Sequence, residues 1–230
     1  MSTATHVRQH NSILAAAEKQ ALIWMATRLP RWVNSDHLSG LGLASMAGAG
    51  LAFVLAASDP VAGASLVVLC LVLNWFGDSL DGTLARVRDQ QRPRYGYYVD
   101  HVIDLAGTAM LFAGVAASGY MSPAIAALVV AAYFMVSAET YLATHSRGVF
   151  KMALLGVGPT ELRILLAAGA LALVHTPMVS PFGVGPVALW DLGGVIGSTG
   201  LIGAFVVSSA RNTRALYLEE TVRSPRGGTP

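Results

Sequence analysis

Apolar residues run in six blocks, near 38–57, 61–80, 97–118, 122–145, 160–176 and 189–210. A helix needs roughly 17–25 such residues to cross the hydrocarbon of a bilayer. The pattern therefore predicts an all-α, polytopic membrane protein with six transmembrane helices. The block at 160–176 is the shortest, and a Pro/Gly-rich stretch over 176–186 closes it. The first block is not a cleaved signal peptide, because it lies well inside the chain and five more follow it. Ahead of it, residues 13–33 (ILAAAEKQALIWMATRLPRWV) mix apolar and basic positions. They predict an amphipathic helix ending near Pro30, either lying in the membrane interface with Trp24 and Trp32 as its aromatic anchors or packed on the bundle. The division that follows is an interfacial segment over 1–37, a membrane domain over 38–210 and a tail over 211–230. Residues 224–230 read as disordered.

The charged positions orient these spans. Arg8, Lys19, Arg28 and Arg31 precede the first span; Arg86, Arg88, Arg92 and Arg94 lie between the second and third. Arg147, Lys151 and Arg163 flank the connection of the fourth and fifth, and Arg211, Arg214, Arg223 and Arg226 follow the sixth. These are all 15 basic residues, and the three remaining connections, around Asp59, around Tyr120 and over 176–191, hold none. The positive-inside rule then puts both termini and the two basic loops in the cytoplasm of a bacterial-type inner membrane. With 54% hydrophobic and only 12% charged residues, the net charge of +2 reports topology and attraction to anionic lipid, not nucleic-acid binding. The single Cys70 excludes internal disulfides and thiolate metal clusters.

Acidic residues at membrane depth are costly, so their placement carries information. Asp78, Asp81, Asp100 and Asp104 fall where the second span leaves the cytoplasmic interface and the third re-enters it. Asp78 and Asp81 are three apart and share a helical face, and Asp100 and Asp104, four apart, share another. An antiparallel hairpin of the two helices can aim all four at one spot. Carboxylates gathered in a partly dry site repel one another unless cations are present. An all-oxygen set, with His101 the only nearby imidazole, favours Mg²⁺ or Mn²⁺ over Zn²⁺, and two such ions would nearly cancel the four charges. Gly82 and Gly96 leave room for a bulky ligand beside the acids, Ala85 keeps that face small, and Arg86 offers a fork suited to phosphate.

The stretch DSLDGTLAR over 78–86, followed by GYYVDHVID over 96–104, resembles the signature of the CDP-alcohol phosphotransferases. Every signature residue is present, although nine residues separate Arg86 from Gly96 where the pattern usually has eight. The resemblance implies that Asp78, Asp81 and Asp100 bind metal and that Asp104 binds metal or acts as general base. It implies that Gly82, Ala85 and Gly96 line a cytidine pocket, with Arg86 on the nucleotide or its phosphates. The implied reaction is attack of an acceptor hydroxyl on the β-phosphorus of a CDP-alcohol, with release of CMP, in phospholipid synthesis. CDP-diacylglycerol with a polar acceptor such as inositol phosphate, glycerol phosphate or serine is the preferred pairing. The alternative is CDP-choline or CDP-ethanolamine with diacylglycerol, to which Asp100-His101 and Thr160-Glu161 bear a faint likeness. The resemblance also admits a homodimer.

Further polar residues approach the same depth. Glu139, His145, Glu161 and Arg163 near the fourth and fifth spans could bind the acceptor, or could pair with one another and with Arg147 or Lys151 to secure helix ends. Arg88, Arg92 and Arg94 serve either as lipid anchors or as substrate contacts. His101 faces either the metal site or neighbouring helices, while His175, Asp59 and Asp191 belong to the opposite side, where the two acids are expected to be solvated. An ion-coupled transporter or a membrane scaffold would be the rival classes. The acids gather at one end instead of the midplane and the halves show no repeat, which disfavours transport; a scaffold leaves the spacing of acids, glycines and arginine unexplained.

Overall fold

A computed structural model describes residues 13–148, 159–183 and 185–223, and among these the chain forms seven α-helices. They are α1 (Ile13–Arg28), α2 (Ser35–Ala56), α3 (Pro60–Val87), α4 (Pro93–Ala117), α5 (Pro123–Arg147), α6 (Pro159–Ala172) and α7 (Leu189–Arg223). Between α6 and α7 a two-residue antiparallel pair, β1 (Met178–Val179) and β2 (Val187–Ala188), brackets a 3₁₀ turn. The helices α2, α3, α4, α5 and α7 are long and apolar enough to cross a membrane, and the protein is a multi-pass membrane protein. The predicted fifth span corresponds to α6, whose 14 residues reach only about 21 Å at the α-helical rise. Residues 149–158 before it, with Lys151, lie outside the described residues, as do Arg8, Arg226 and the predicted disordered tail.

Helix starts follow local sequence. Proline opens α3, α4, α5 and α6, where its fixed φ suits the first turn and its missing N–H costs nothing. Asn34, Asp59 and Ser122 cap α2, α3 and α5 by accepting from backbone N–H groups of the first turn. The observed α3 continues to Val87, beyond the predicted end near 80, and α4 begins at Pro93, ahead of 97. The apolar pattern stops where the polar motif begins, but the backbone stays helical because these side chains turn into a cleft instead of interrupting the helix.

The helix α2 lies against both α3 and α4, and glycine sets the separation. A Cβ on Gly77 of α3 would stand 2.5 Å from the Leu38 carbonyl oxygen of α2. One on Gly50 of α2 would stand 2.6 Å from the Met110 carbonyl oxygen, and one on Gly114 of α4 would stand 2.2 Å from that of Gly50. Without a hydrophobic drive between helices in lipid, such backbone-to-backbone contact is a main source of association. Around it pack Phe53, Val67, Leu71, Leu111 and Val115, with Trp190 of α7 edge-on to Phe53 at 4.7 Å. The helix α6 adds to this trio through α3, and α7 through α5.

The N-terminal helix is in contact with the bundle. Leu22 and Ala26 of α1 are buried with Leu80 and Leu84 of α3, and Trp75 donates its indole N–H to Glu18 at 2.9 Å. Trp24 and Trp32 stay largely exposed, as interfacial aromatics would. Arg88, just past α3, donates to the carbonyls of Leu29, Pro30 and Val33, capping the carboxyl end of α1. Next to it Asp89 takes a left-handed φ of 53°, while its own N–H bonds Arg86 O and that of Gln90 bonds Ala85 O at 2.9 Å, a Schellman closure of α3. Arg92 pairs with Asp36 at the start of α2. On the opposite side Asp191, expected to be solvated, accepts from the Ser122 N–H at 2.7 Å, and Tyr120 donates to the Ala56 carbonyl at 2.8 Å.

Gly77→Val would force α2 and α3 apart and is expected to destabilise the bundle by about 2 kcal/mol or more. Gly40→Ala, at a helical position with nothing near its Cβ, should leave stability unchanged or raised by up to about 1 kcal/mol. Thermal unfolding of the two variants in detergent checks the contrast.

Candidate active site

Because α3 persists through the polar motif, Asp78 and Asp81 project from its last three turns. Asp100 and Asp104 project from the first half of the antiparallel α4. The close approach of α2 brings all four to one cleft, completed by Ser39 and Asn74. The cleft is small, with a free volume of about 10 Å³, roughly one water-sized sphere.

Each wall supplies a polar hold. Ser39 of α2 donates to Asp81 Oδ2 at 2.6 Å, and Ser35 donates to the Asp81 carbonyl at 2.8 Å. From α6, Arg163 reaches in with its fork: Nη2 lies 2.6 Å from Asp78 Oδ2 and Nε lies 2.7 Å from Asn74 Oδ1. Asn74 in turn donates to the Gly42 carbonyl of α2 at 3.0 Å, so one guanidinium links three helices. His101 is buried between the rings of Tyr97 and Tyr141, at 4.1 and 4.8 Å, with Nδ1 2.7 Å from the Tyr97 carbonyl and 3.6 Å from Asp100 Oδ2.

The other positions singled out in the sequence divide around this cleft. Gly82, Ala85 and Arg86 follow Asp81 on α3; a Cβ at Gly82 would touch Arg86 Nη1 at 3.5 Å, and Arg86 is exposed and bonds Thr83 Oγ1 at 3.0 Å. Gly96, one turn before Asp100, is exposed with open space beside it. Glu161 is exposed on the first turn of α6, two residues before Arg163. Glu139 lines another contact altogether, accepting from Ser208 at 2.8 Å and Asn212 at 2.6 Å of α7, while Arg147 donates to Asn212 Oδ1. Glu139 therefore clasps α5 to α7, while Arg163 joins the aspartates.

Ser39 and Asn74 were not singled out from the sequence. Asn74, Asp78 and Asp81 form one polar stripe at intervals of four and three inside an apolar run, a signal that was available. Ser39 gave none, since a serine in the first turns of a span is ordinary.

The donor set suits hard divalent cations, being four carboxylates beside a hydroxyl in one cleft with no thiolate. Among the described residues no three His, Cys, Asp or Glu side chains already close on a single ion-sized point; Asp78 is turned to Arg163 and Asp81 to Ser39. One guanidinium among four carboxylates still leaves an excess of acid, which is what metal binding would relieve.

The family model of the CDP-alcohol phosphatidyltransferases matches residues 39–206. The chain belongs to this family. It is a CDP-alcohol phosphotransferase, an enzyme that moves a substituted phosphate from a CDP-alcohol donor to a hydroxyl acceptor in phospholipid synthesis, and its family generally uses divalent metal ions. The transporter and scaffold readings fall with that membership. Its fold is similar to that of the phosphatidylinositol phosphate synthase of Mycobacterium tuberculosis, solved with CDP-DAG bound. The TM-score is 0.54 at 18% identity, over 86% of this chain and 92% of that one. Comparison with curated protein sequences found no match.

Arg163→Ala removes the cation paired with Asp78 among the described residues and one polar tie between α6 and α3. Breaking a half-buried pair of this kind is expected to cost about 1–3 kcal/mol and to lower turnover at least roughly tenfold. Arg163→Lys should fall between, because a point charge cannot hold Asn74 and Asp78 together. CMP release measured beside thermal unfolding separates the two effects.

Proposed function

We propose that this phosphotransferase takes CDP-diacylglycerol as donor and a polar, water-soluble alcohol as acceptor, working at the cytoplasmic face of a bacterial inner membrane. The observation that carries the reading is the convergence of Asp78, Asp81, Asp100 and Asp104 on one cleft at the end of the bundle where the basic loops lie. The CDP-DAG held by a protein of similar fold supports the donor.

In this reading Asp78, Asp81 and Asp100 hold Mg²⁺ or Mn²⁺, with Asp104 as a further ligand or as the base. Two such ions would neutralise the diphosphate and stabilise the departing CMP. Gly82, Ala85 and Gly96 leave the space for cytidine, and Arg86 contacts the nucleotide or its phosphates. The acceptor oxygen bonds the β-phosphorus as the bond from that phosphorus to the bridging oxygen breaks, CMP leaves with the electron pair, and the hydroxyl proton passes to Asp104. Arg163 is the acceptor-side residue best placed to meet phosphate, once Asp78 has exchanged the guanidinium for metal. Glu161 stands nearby at the head of α6, while Glu139 would reach an acceptor only by leaving its clasp with α7. Both termini and the segments 1–37 and 211–230 lie on the cytoplasmic side, and a homodimer is compatible with the exposed apolar flanks of the bundle.

Purified protein given CDP-diacylglycerol with inositol phosphate, glycerol phosphate or serine should release CMP; release only from CDP-choline or CDP-ethanolamine with diacylglycerol would assign the other branch. Chelation is expected to abolish turnover and Mg²⁺ or Mn²⁺ to restore it, so full activity in excess chelator sinks the metal mechanism. Asp104→Asn should fold normally and lose roughly two orders of magnitude in turnover; near-normal rates would remove Asp104 from the chemistry.

A further inference from the structure

Two bonds of different kinds seat the Arg163 guanidinium in the cleft. Its Nη2 lies 2.6 Å from Asp78 Oδ2, and its Nε lies 2.7 Å from Oδ1 of Asn74, one turn earlier on α3. Asn74 is buried within an apolar run, where an amide is costly unless its donor and acceptor are both met. Both are met, because Nδ2 donates to the Gly42 carbonyl of α2 at 3.0 Å while Oδ1 receives Arg163. The bond to Asn74 therefore runs to a neutral oxygen whose group is tied to backbone. The bond to Asp78 runs to a carboxylate, the oxygen type that hard divalent cations prefer.

Space and charge set the guanidinium against an ion at that carboxylate. A divalent ion such as Mg²⁺ sits about 2.1 Å from a carboxylate oxygen and keeps several of its waters. The cleft has about 10 Å³ of free volume, with the Arg163 side chain already against Asp78. A guanidinium is planar, always charged and weakly hydrated, so it offsets acid in a confined site without bringing water along.

We propose that Arg163 is the resident counter-ion of Asp78 and competes with divalent cations for it, while Asn74 retains the displaced guanidinium at the cleft. This rests on Asp78 being a metal ligand, as proposed above. Asp78 changes partner when an ion enters, and the bond from Nε to Asn74 stays. The tip of Arg163 then becomes available to phosphate at the moment the acids are loaded. Loading the site and offering the phosphate clamp are thereby one event.

The test titrates the full chain in detergent with Mn²⁺, without substrate, and reads free ion by electron paramagnetic resonance. Arg163→Ala should bind Mn²⁺ about tenfold tighter or more, even though its CMP release is lower. Arg163→Lys keeps the charge but cannot bridge Asn74 and Asp78, so its affinity should lie between those of wild type and Arg163→Ala. Thermal unfolding gives the reciprocal reading: saturating Mg²⁺ should narrow the gap in midpoint between wild type and Arg163→Ala. Unchanged or weaker Mn²⁺ binding in Arg163→Ala, where Asp78→Asn abolishes it, would overturn the exchange and leave Asp78 a ligand. Tighter binding in Arg163→Ala with wild-type affinity in Arg163→Lys would reduce the effect to charge acting at a distance, and overturn it as well. Wild-type Mn²⁺ affinity in Asp78→Asn would sink the metal assignment of Asp78 together with the exchange.

Discussion

The backbone of α2 runs so close to α3 and α4 that no Cβ fits at Gly77, Gly50 or Gly114, and the rest of the membrane domain is arranged around that closeness. With these helices held at near backbone contact, the ends of α3 and α4 are brought within one cleft and Ser39 comes within reach of Asp81. A separation larger by the thickness of a methyl group would leave the acids on two surfaces facing a gap. Dispersion between backbones is a weak force per atom, but in lipid no solvent effect competes with it, and it accumulates along the helix.

Polar contacts then hold the outer helices to this trio. Arg163 fastens α6 to α3 at the acids, and Glu139 fastens α5 to α7 through Ser208 and Asn212. Each contact joins side chains of two different helices and so fixes their register. The same residues that shape the bundle therefore fix the chemistry of its acidic end.

Much of this was legible in the sequence, for physical reasons that differ by element. Runs such as 38–57 and 122–145 are long because the bilayer is thick, so α2 and α5 could be read within a few residues. The end of α3 was not legible from hydropathy, because Asp78, Asp81 and Arg86 lower the local apolar content while leaving the helix unbroken. The four aspartates stood out by charge at depth and by spacing. Arg163 could be singled out as a cation of the right depth, but its union with Asn74 and Asp78 depends on how α6 packs, and spacing within one helix does not report packing between two. Glu139 had the same depth and the opposite destination. Depth is encoded along the chain; azimuth around the bundle is not.

The left-handed turn at Asp89 has an evolutionary corollary. Because the Schellman closure seals α3 at Gln90, residues added or lost between there and Pro93 alter neither the rotational phase of α3 nor that of α4. The nine residues between Arg86 and Gly96 thus leave each half of the acid set registered by its own helix and not by the tether between them. Length added there would fall on the tether and not on the helices that carry the acids.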